Sequence, residues 1–214
     1  MKKILALCAL ALTVGYAQAQ TTAGRMMIGG GIGYTTQTNE SSFGDTKSNQ
    51  LNINPQFGYF VVDNLAIGLT ADYYKTKYTQ PIPLSPGGEA DITFITTILS
   101  PFARYYVFTP NEKFAFYAEA SAGIGFSTTD NNYYNSADPS DEDIKSKSFN
   151  ARLSPGFCYF FNEKWALDLQ LNGISYSSND PNTDSDVEDD KISSFTVGTS
   201  SLNPSLGFRY FIGK

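Results

Sequence analysis

The sequence contains no histidine. A Ser–His or Asp–His catalytic arrangement is therefore excluded. Cysteine is almost as scarce, with only Cys8 and Cys158. Charged residues make up only 17% of the chain, and their balance is acidic, with a formal net charge of −6. That balance argues against a nucleic-acid partner. No segment after the first nineteen residues has helical periodicity. Gly29-Gly30-Gly31 lies inside a strand pattern rather than at a strand-to-helix turn, so it is not a phosphate-binding loop. Acids are clustered at Asp138, Asp141, Glu142 and Asp143, and again from Asp180 through Asp184, Asp186, Glu188, Asp189 and Asp190. Neither cluster has calcium-loop spacing or its central glycine. Solvated charge that keeps loops extended is the favoured reading, with a weak divalent-ion site as the alternative. Nothing positions two of these acids for paired-carboxylate hydrolysis.

The N-terminus reads as a processing segment. Lys2 and Lys3 precede an apolar run from Ile4 to Val14, and Ala17-Gln18-Ala19 is a small-x-small cleavage site. The run is too short to cross a bilayer. Residues 1–19 are expected to be a cleaved signal peptide, and residues 20–214 one domain. Cys8 falls inside the leader behind Leu7, which does not suit a lipoprotein cysteine. Without Lys2 and Lys3, 13 of the 15 basic residues remain against 21 acidic ones, a net of −8. Cys158 is then the only cysteine, so no intrachain disulfide can form.

What is present is a repeat. Ile53-Asn54-Pro55, Leu99-Ser100-Pro101, Leu153-Ser154-Pro155 and Leu202-Asn203-Pro204 share an aliphatic residue, Asn or Ser, then Pro. Alternating aromatics follow each time. The prolines are 46, 54 and 49 residues apart, room for two strands and a loop. Around each copy apolar and polar residues alternate: Leu51, Ile53, Pro55, Phe57 and Tyr59 oppose Gln50, Asn52, Asn54, Gln56 and Gly58. Similar segments lie between the copies, at Met26 to Tyr34, Leu65 to Tyr74, Phe114 to Phe126 and Trp165 to Asn172. That predicts eight strands. Tight turns follow strands two, four and six. Long polar loops follow the others, near 37–48, 77–91, 130–145 and 179–193, all on one end.

Periodicity does not say which face points inward. Three observations turn the apolar face out. The polar face is thinned by Gly29, Gly31, Gly33, Gly58, Gly68, Gly123, Gly125, Gly156 and Gly207, which suits a narrow eight-stranded interior. The apolar face carries Tyr59, Tyr105, Tyr159, Phe161, Trp165 and Tyr210 beside the tight turns, as a bilayer interface favours. The strand lengths fit a tilted membrane span. In lipid every backbone group needs a partner, so the sheet must close. A soluble lipocalin-like barrel, apolar side inward, is the alternative.

The leader, the eight strands, the one-sided loops and the aromatic last strand together resemble the small outer-membrane β-barrel proteins of Gram-negative bacteria. That group, the outer-membrane protein beta-barrel domain family, includes proteins similar to OmpX and the OmpA transmembrane domain. The last strand, with Ser205, Gly207, Tyr210 and Ile212, resembles its assembly signal: polar, x, Gly, x, x, aromatic, x, apolar. Gly213 and Lys214 follow it, whereas the family usually ends on the aromatic. The resemblance implies an all-β, eight-stranded antiparallel transmembrane up-and-down barrel in the bacterial outer membrane, with short periplasmic turns and four long extracellular loops. It implies contact with outer-membrane lipid and the barrel-insertion machinery, a monomer, no cofactor, and an extracellular ligand, if any, met by the loops. The enzymatic barrels of this kind rely on histidine, which this chain lacks.

Six charges fall on the inward set: Asp72, Glu119 and Asp168 against Arg104, Arg152 and Arg209. Asp168–Arg209 and Glu119–Arg104 lie at matching depths on neighbouring strands and are expected to pair. The leading reading is a structural ion-pair network in a non-enzymatic surface, structural or adhesive barrel whose lumen is plugged by polar side chains. The alternative is a charged constriction in a small porin-like channel.

Overall fold

The computed structural model describes residues 19–41, 44–81, 89–133, 144–181, 191–197 and 204–213. Its strands are β1 (Met26–Gly30), β2 (Ile32–Asn39), β3 (Thr46–Ile53), β4 (Gln56–Val62), β5 (Leu65–Pro81), β6 (Glu89–Phe108), β7 (Phe114–Tyr133), β8 (Ile144–Phe160), β9 (Trp165–Leu171), β10 (Ile174–Asp180), β11 (Ile192–Thr196) and β12 (Pro204–Ile212). All pairings are antiparallel. The leader and most of the acidic loop residues, Asp138 to Asp143 and Asp184 to Asp190, lie outside the described residues.

At the tight-turn end the pairing runs β1, β4, β5, β6, β7, β8, β9, β12 and back to β1, where Met26 meets Ile212 and Ile28 meets Tyr210. The sheet is thus continuous around this end. Nearer the loops the order is β2, β3, β5, β6, β7, β8, β10, β11. Among the described residues β2 and β11 do not pair with each other.

Of the breaks that divide the eight expected strands, those at Gly31, at Asn54-Pro55 and at Asn172-Gly173 lie at or opposite a repeated proline. A proline has no N–H to give, so its ladder must stop on one side. Each repeat meets that interruption. β3 and β4 part at Asn54-Pro55. The β6–β7 register runs from Leu99↔Ile124 to Phe102↔Ser121, skipping Ser100 and Pro101. β8 leaves β9 at Gly156↔Gln170 and joins β10 from Leu153↔Ile174, skipping Ser154 and Pro155. β12 begins at Pro204, and its pairing with β1 ends at Gly30↔Phe208. At the first break the residue before proline fills the gap: Gly31 N–H donates to Asn54 Oδ1 at 2.5 Å, and Asn54 N–H donates to the Gly31 carbonyl at 3.0 Å. The Pro55 carbonyl accepts Ala71 N–H. Gly30 has φ +149°, and a Cβ there would lie 2.4 Å from the Asn54 carbonyl oxygen, so only glycine fits.

The apolar face points outward. Leu69, Leu99, Phe116, Ile124, Leu206 and Phe208 are 50–59% exposed, whereas Arg104 is 0% exposed. A soluble barrel would reverse this. The strands also run further than their apolar portions suggest. β6 and β7 span 20 residues each, so the loops are shorter than the sequence reading places them. At about 3.3 Å per residue such a strand is roughly 65 Å long, beyond what a tilted crossing needs. The extension is polar but still pairs: Lys77 Nζ lies 2.8 Å from Asp91 Oδ2, and Thr79 Oγ1 donates to Asp91 Oδ1 at 2.6 Å. The Lys77 hydrogen bond, helped by Thr79, holds the Asp91 carboxyl below the usual carboxylate range.

Candidate functional site in the lumen

From the tight-turn end upward, the lumen is filled in layers. The first is a strap, Gln20 to Arg25, across the mouth. Thr21 Oγ1 donates to Asn64 Oδ1 at 2.5 Å, Asn64 N–H returns to the Thr21 carbonyl, and Ala23 N–H donates to Asp63 Oδ1. Arg25 Nη2 reaches across to the Glu163 carbonyl at 3.1 Å. Asn64 adopts φ +67°, a turn conformation asparagine tolerates.

The second layer is aromatic. Phe211 lies 6.2 Å from Phe60 and 5.3 Å from Phe160 between ring centroids, and Phe108 lies 5.4 Å from Phe160. The sequence reading fills the lumen with polar side chains and does not include this aromatic layer. The signal was the aromatic doublet in every repeat: Tyr59-Phe60, Tyr105-Tyr106, Tyr159-Phe160 and Tyr210-Phe211. Alternation sends one ring of each doublet outward and the other into the lumen.

Above it, Tyr106 OH donates to Met27 Sδ, and Tyr117 stacks under the Arg104 guanidinium, whose carbon is 4.0 Å from the ring centre. Gly156 makes room for that ring, since a Cβ there would lie 2.1 Å from Tyr117 Cζ. Next comes the ion layer. Arg104 Nη2 is 2.7 Å from Glu119 Oε2 and Nε is 2.8 Å from the same oxygen, the two residues facing each other across β6 and β7. Arg104 Nη1 lies 3.4 Å from Asp168 Oδ1. Arg209 Nη2 donates to Asp168 Oδ2 at 2.6 Å, diagonally between β12 and β9. Gln56 and Gln170 each donate to Glu119 at 3.0 Å, and Gln56 Oε1 accepts from Arg104 Nη2. Cys158 Sγ donates to Asp168 Oδ1 at 3.2 Å. Burying these charges is tolerable because each carboxylate is met by two or more donors.

Asp72 and Arg152 sit higher. They line a polar cavity of about 40 Å³ with Asn54, Ser100 and Asn150, and form no ion pair with each other among the described residues. The structure therefore brings four of the six candidate charges together and leaves two facing the loop end. Sequence reasoning did not include Gln56, Gln170, Tyr106 or Tyr117, because glutamine and tyrosine on a lumen face look like filler until the register aligns them. Among the described residues no group of three or more His, Cys, Asp or Glu could hold a metal ion.

The predicted interface aromatics ring the outside of the same end. Tyr59, Phe161 and Trp165 are exposed, and Tyr105, Tyr159 and Tyr210 are half-buried. Trp165 packs on Tyr210 at 4.7 Å, and Tyr159 on Phe161 at 5.2 Å. Ser205, Gly207, Tyr210 and Ile212 all lie on β12, where Tyr210 and Ile212 pair with β1.

The model of one protein family, described as outer membrane protein beta-barrel domain, matches residues 4–200. The chain belongs to this family. It is a bacterial outer-membrane β-barrel protein. Similar solved structures include Neisserial surface protein A, at 15% identity over 88% of this chain and 97% of that one, with a TM-score of 0.39. Another is the attachment invasion locus protein Ail of Yersinia pestis in complex with the heparin analogue sucrose octasulfate, at 16% identity, 89% and 100% coverage and a TM-score of 0.41. A third is OprG of Pseudomonas aeruginosa, at 16% identity, 92% and 99% coverage and a TM-score of 0.41. No curated protein matches the chain.

Proposed function

We propose that the protein is a non-enzymatic, monomeric membrane anchor whose closed lumen carries a rigid platform for its loops. The observation that carries this reading is Arg104, 0% exposed and tied at once to Glu119, Asp168 and Gln56. A side chain held from three sides above an aromatic layer supports a lumen closed to water at that depth. The ion network is structural on this reading, and binding belongs to the loops. Their acidic sequence favours a basic or neutral partner over a polyanion. Residues 1–19 are removed on export, the Ser205–Ile212 stretch is read by the insertion machinery, and the aromatic ring fixes height in the bilayer.

Single-barrel recording in a planar bilayer tests the closed lumen. Wild-type protein is expected to give no discrete current steps. Unitary steps that change size when Arg104 or Arg209 is replaced by Ala would instead establish the small channel, which the polar cavity under the loops favours.

A further inference from the structure

Two neighbouring periplasmic turns carry the same tripeptide, Asn111-Glu112-Lys113 and Asn162-Glu163-Lys164. In both, the asparagine side chain holds the turn: Asn111 Oδ1 accepts Lys113 N–H at 3.2 Å, and Asn162 Oδ1 accepts Lys164 N–H at 2.8 Å and Trp165 N–H at 3.0 Å. With asparagine turned inward on the backbone, the glutamate and lysine that follow are left exposed. Phe160 N–H donates to the Lys113 carbonyl, which ties the two turns side by side. Between them lies an open groove of about 860 Å³, lined by both Glu-Lys pairs and by Phe161 and Trp165. Among the described residues none of these four charged side chains forms an ion pair.

We infer that this groove is a seat for the headgroup of a zwitterionic phospholipid of the periplasmic leaflet, one carrying a phosphate and an ammonium. Position and charge both lead there. Trp165 stacked on Tyr210 and Phe161 on Tyr159 mark the height of the membrane interface, and the groove opens beside them. Two lysines attract a phosphate, whereas two glutamates repel a purely anionic headgroup. A headgroup with both signs satisfies both sets, and its acyl chains continue along the outward apolar face.

Trp165 is the only tryptophan in the chain, so its emission reports the groove directly. The full-length barrel is folded in a maltoside detergent and titrated with short-chain phosphatidylethanolamine, with phosphatidylglycerol of the same chains, and with inorganic phosphate. Unheated gel mobility confirms that each variant is folded. The expected result is a saturable emission shift with phosphatidylethanolamine, at roughly tenfold lower concentration than with phosphatidylglycerol. Lys113→Gln with Lys164→Gln should weaken that binding about tenfold, and Glu112→Gln with Glu163→Gln should erase the preference over phosphatidylglycerol. Equal response to both lipids in the wild type, or titrations that neither double variant alters, would mean acyl-chain partition alone and overturn the assignment. Full competition by inorganic phosphate would also overturn it, by making the groove an anion site.

Discussion

The two halves of this barrel are built from the same alternating strands yet hold themselves together differently. In the half nearer the tight turns every strand has two partners, and the interior is packed: Phe60, Phe160 and Phe211 are at most 1% exposed, with Arg104 and Asp168 sealed above them. In the half nearer the loops the pairing continues, but Asp72 and Arg152 line a small polar cavity without pairing to each other, and contacts such as Ser177 to Ser194 or Thr36 to Asn49 are exposed. The line between them is the belt of Asn/Ser-Pro breaks. One half is thus stabilised by its interior and the other by its ladders. An ion pair should be worth several kilocalories in the first and almost nothing in the second, because water screens one and not the other.

The sharpest way to break that contrast is Arg104→Ala. It leaves Glu119 and Asp168 buried with fewer donors, and it should destabilise the barrel by about 3–5 kcal/mol. Urea unfolding in lipid vesicles measures it. Arg104→Ala combined with Glu119→Ala should cost less than the sum of the singles, since the second change removes a carboxylate the first has stranded. Additive losses would mean the two residues do not act as a unit, and the layered interior would lose its central argument.

Gly156→Ala tests the layer beneath. Its new methyl group meets the Tyr117 ring, which cannot retreat without leaving Arg104. Overpacking of this kind costs about 1–3 kcal/mol. The same substitution at Gly33, in the exposed half, meets only the Asn52 side-chain amide and should cost less. Comparing unfolding midpoints of the two variants tells whether tight packing stops at the proline belt.

How much of this could be read beforehand follows the physics of each feature. Alternation separated the two faces, because period two is a local property of the chain, and the glycine lining, the aromatics beside the tight turns and the strand lengths then set which face points out. The pairing partner of Arg104 was legible, since Glu119 lies opposite it once a single tight turn is counted through. The proline breaks were visible as a repeat, but their consequence needed the neighbouring strand: only the register reveals that Asn54 supplies the oxygen Gly31 needs. The aromatic layer went unread because Phe60 and Phe160 follow a tyrosine, and a run of two aromatics looks like a thickened outer face. The strands' extension toward the loops was hidden for a different reason. Residues such as Thr76, Lys77 and Thr79 carry no apolar side to betray the ladder.

That extension supplies the smallest predicted effect. Lys77 and Asp91 face water, so Lys77→Ala should cost no more than about 0.2–1 kcal/mol. Its signature is the pH dependence. The folded-state pKa of Asp91 is lowered by its bonds to Lys77 and Thr79, so the stabilisation is present above the ordinary aspartate value of about 3.9. It is lost as pH falls from there through the lowered folded value. The protection factors of the Thr79 and Asp91 amides, exchange rates taken relative to the unstructured chain at the same pH, should therefore fall below about pH 4 in the wild type and show less of that step in the Lys77→Ala variant. Protection factors at Arg104 and Glu119 should not change over the same range, because Lys77 and Asp91 take no part in the contacts that hold the buried network. If both regions responded together, the barrel would open as one cooperative body, and the division at the proline belt would be a feature of the ladder alone.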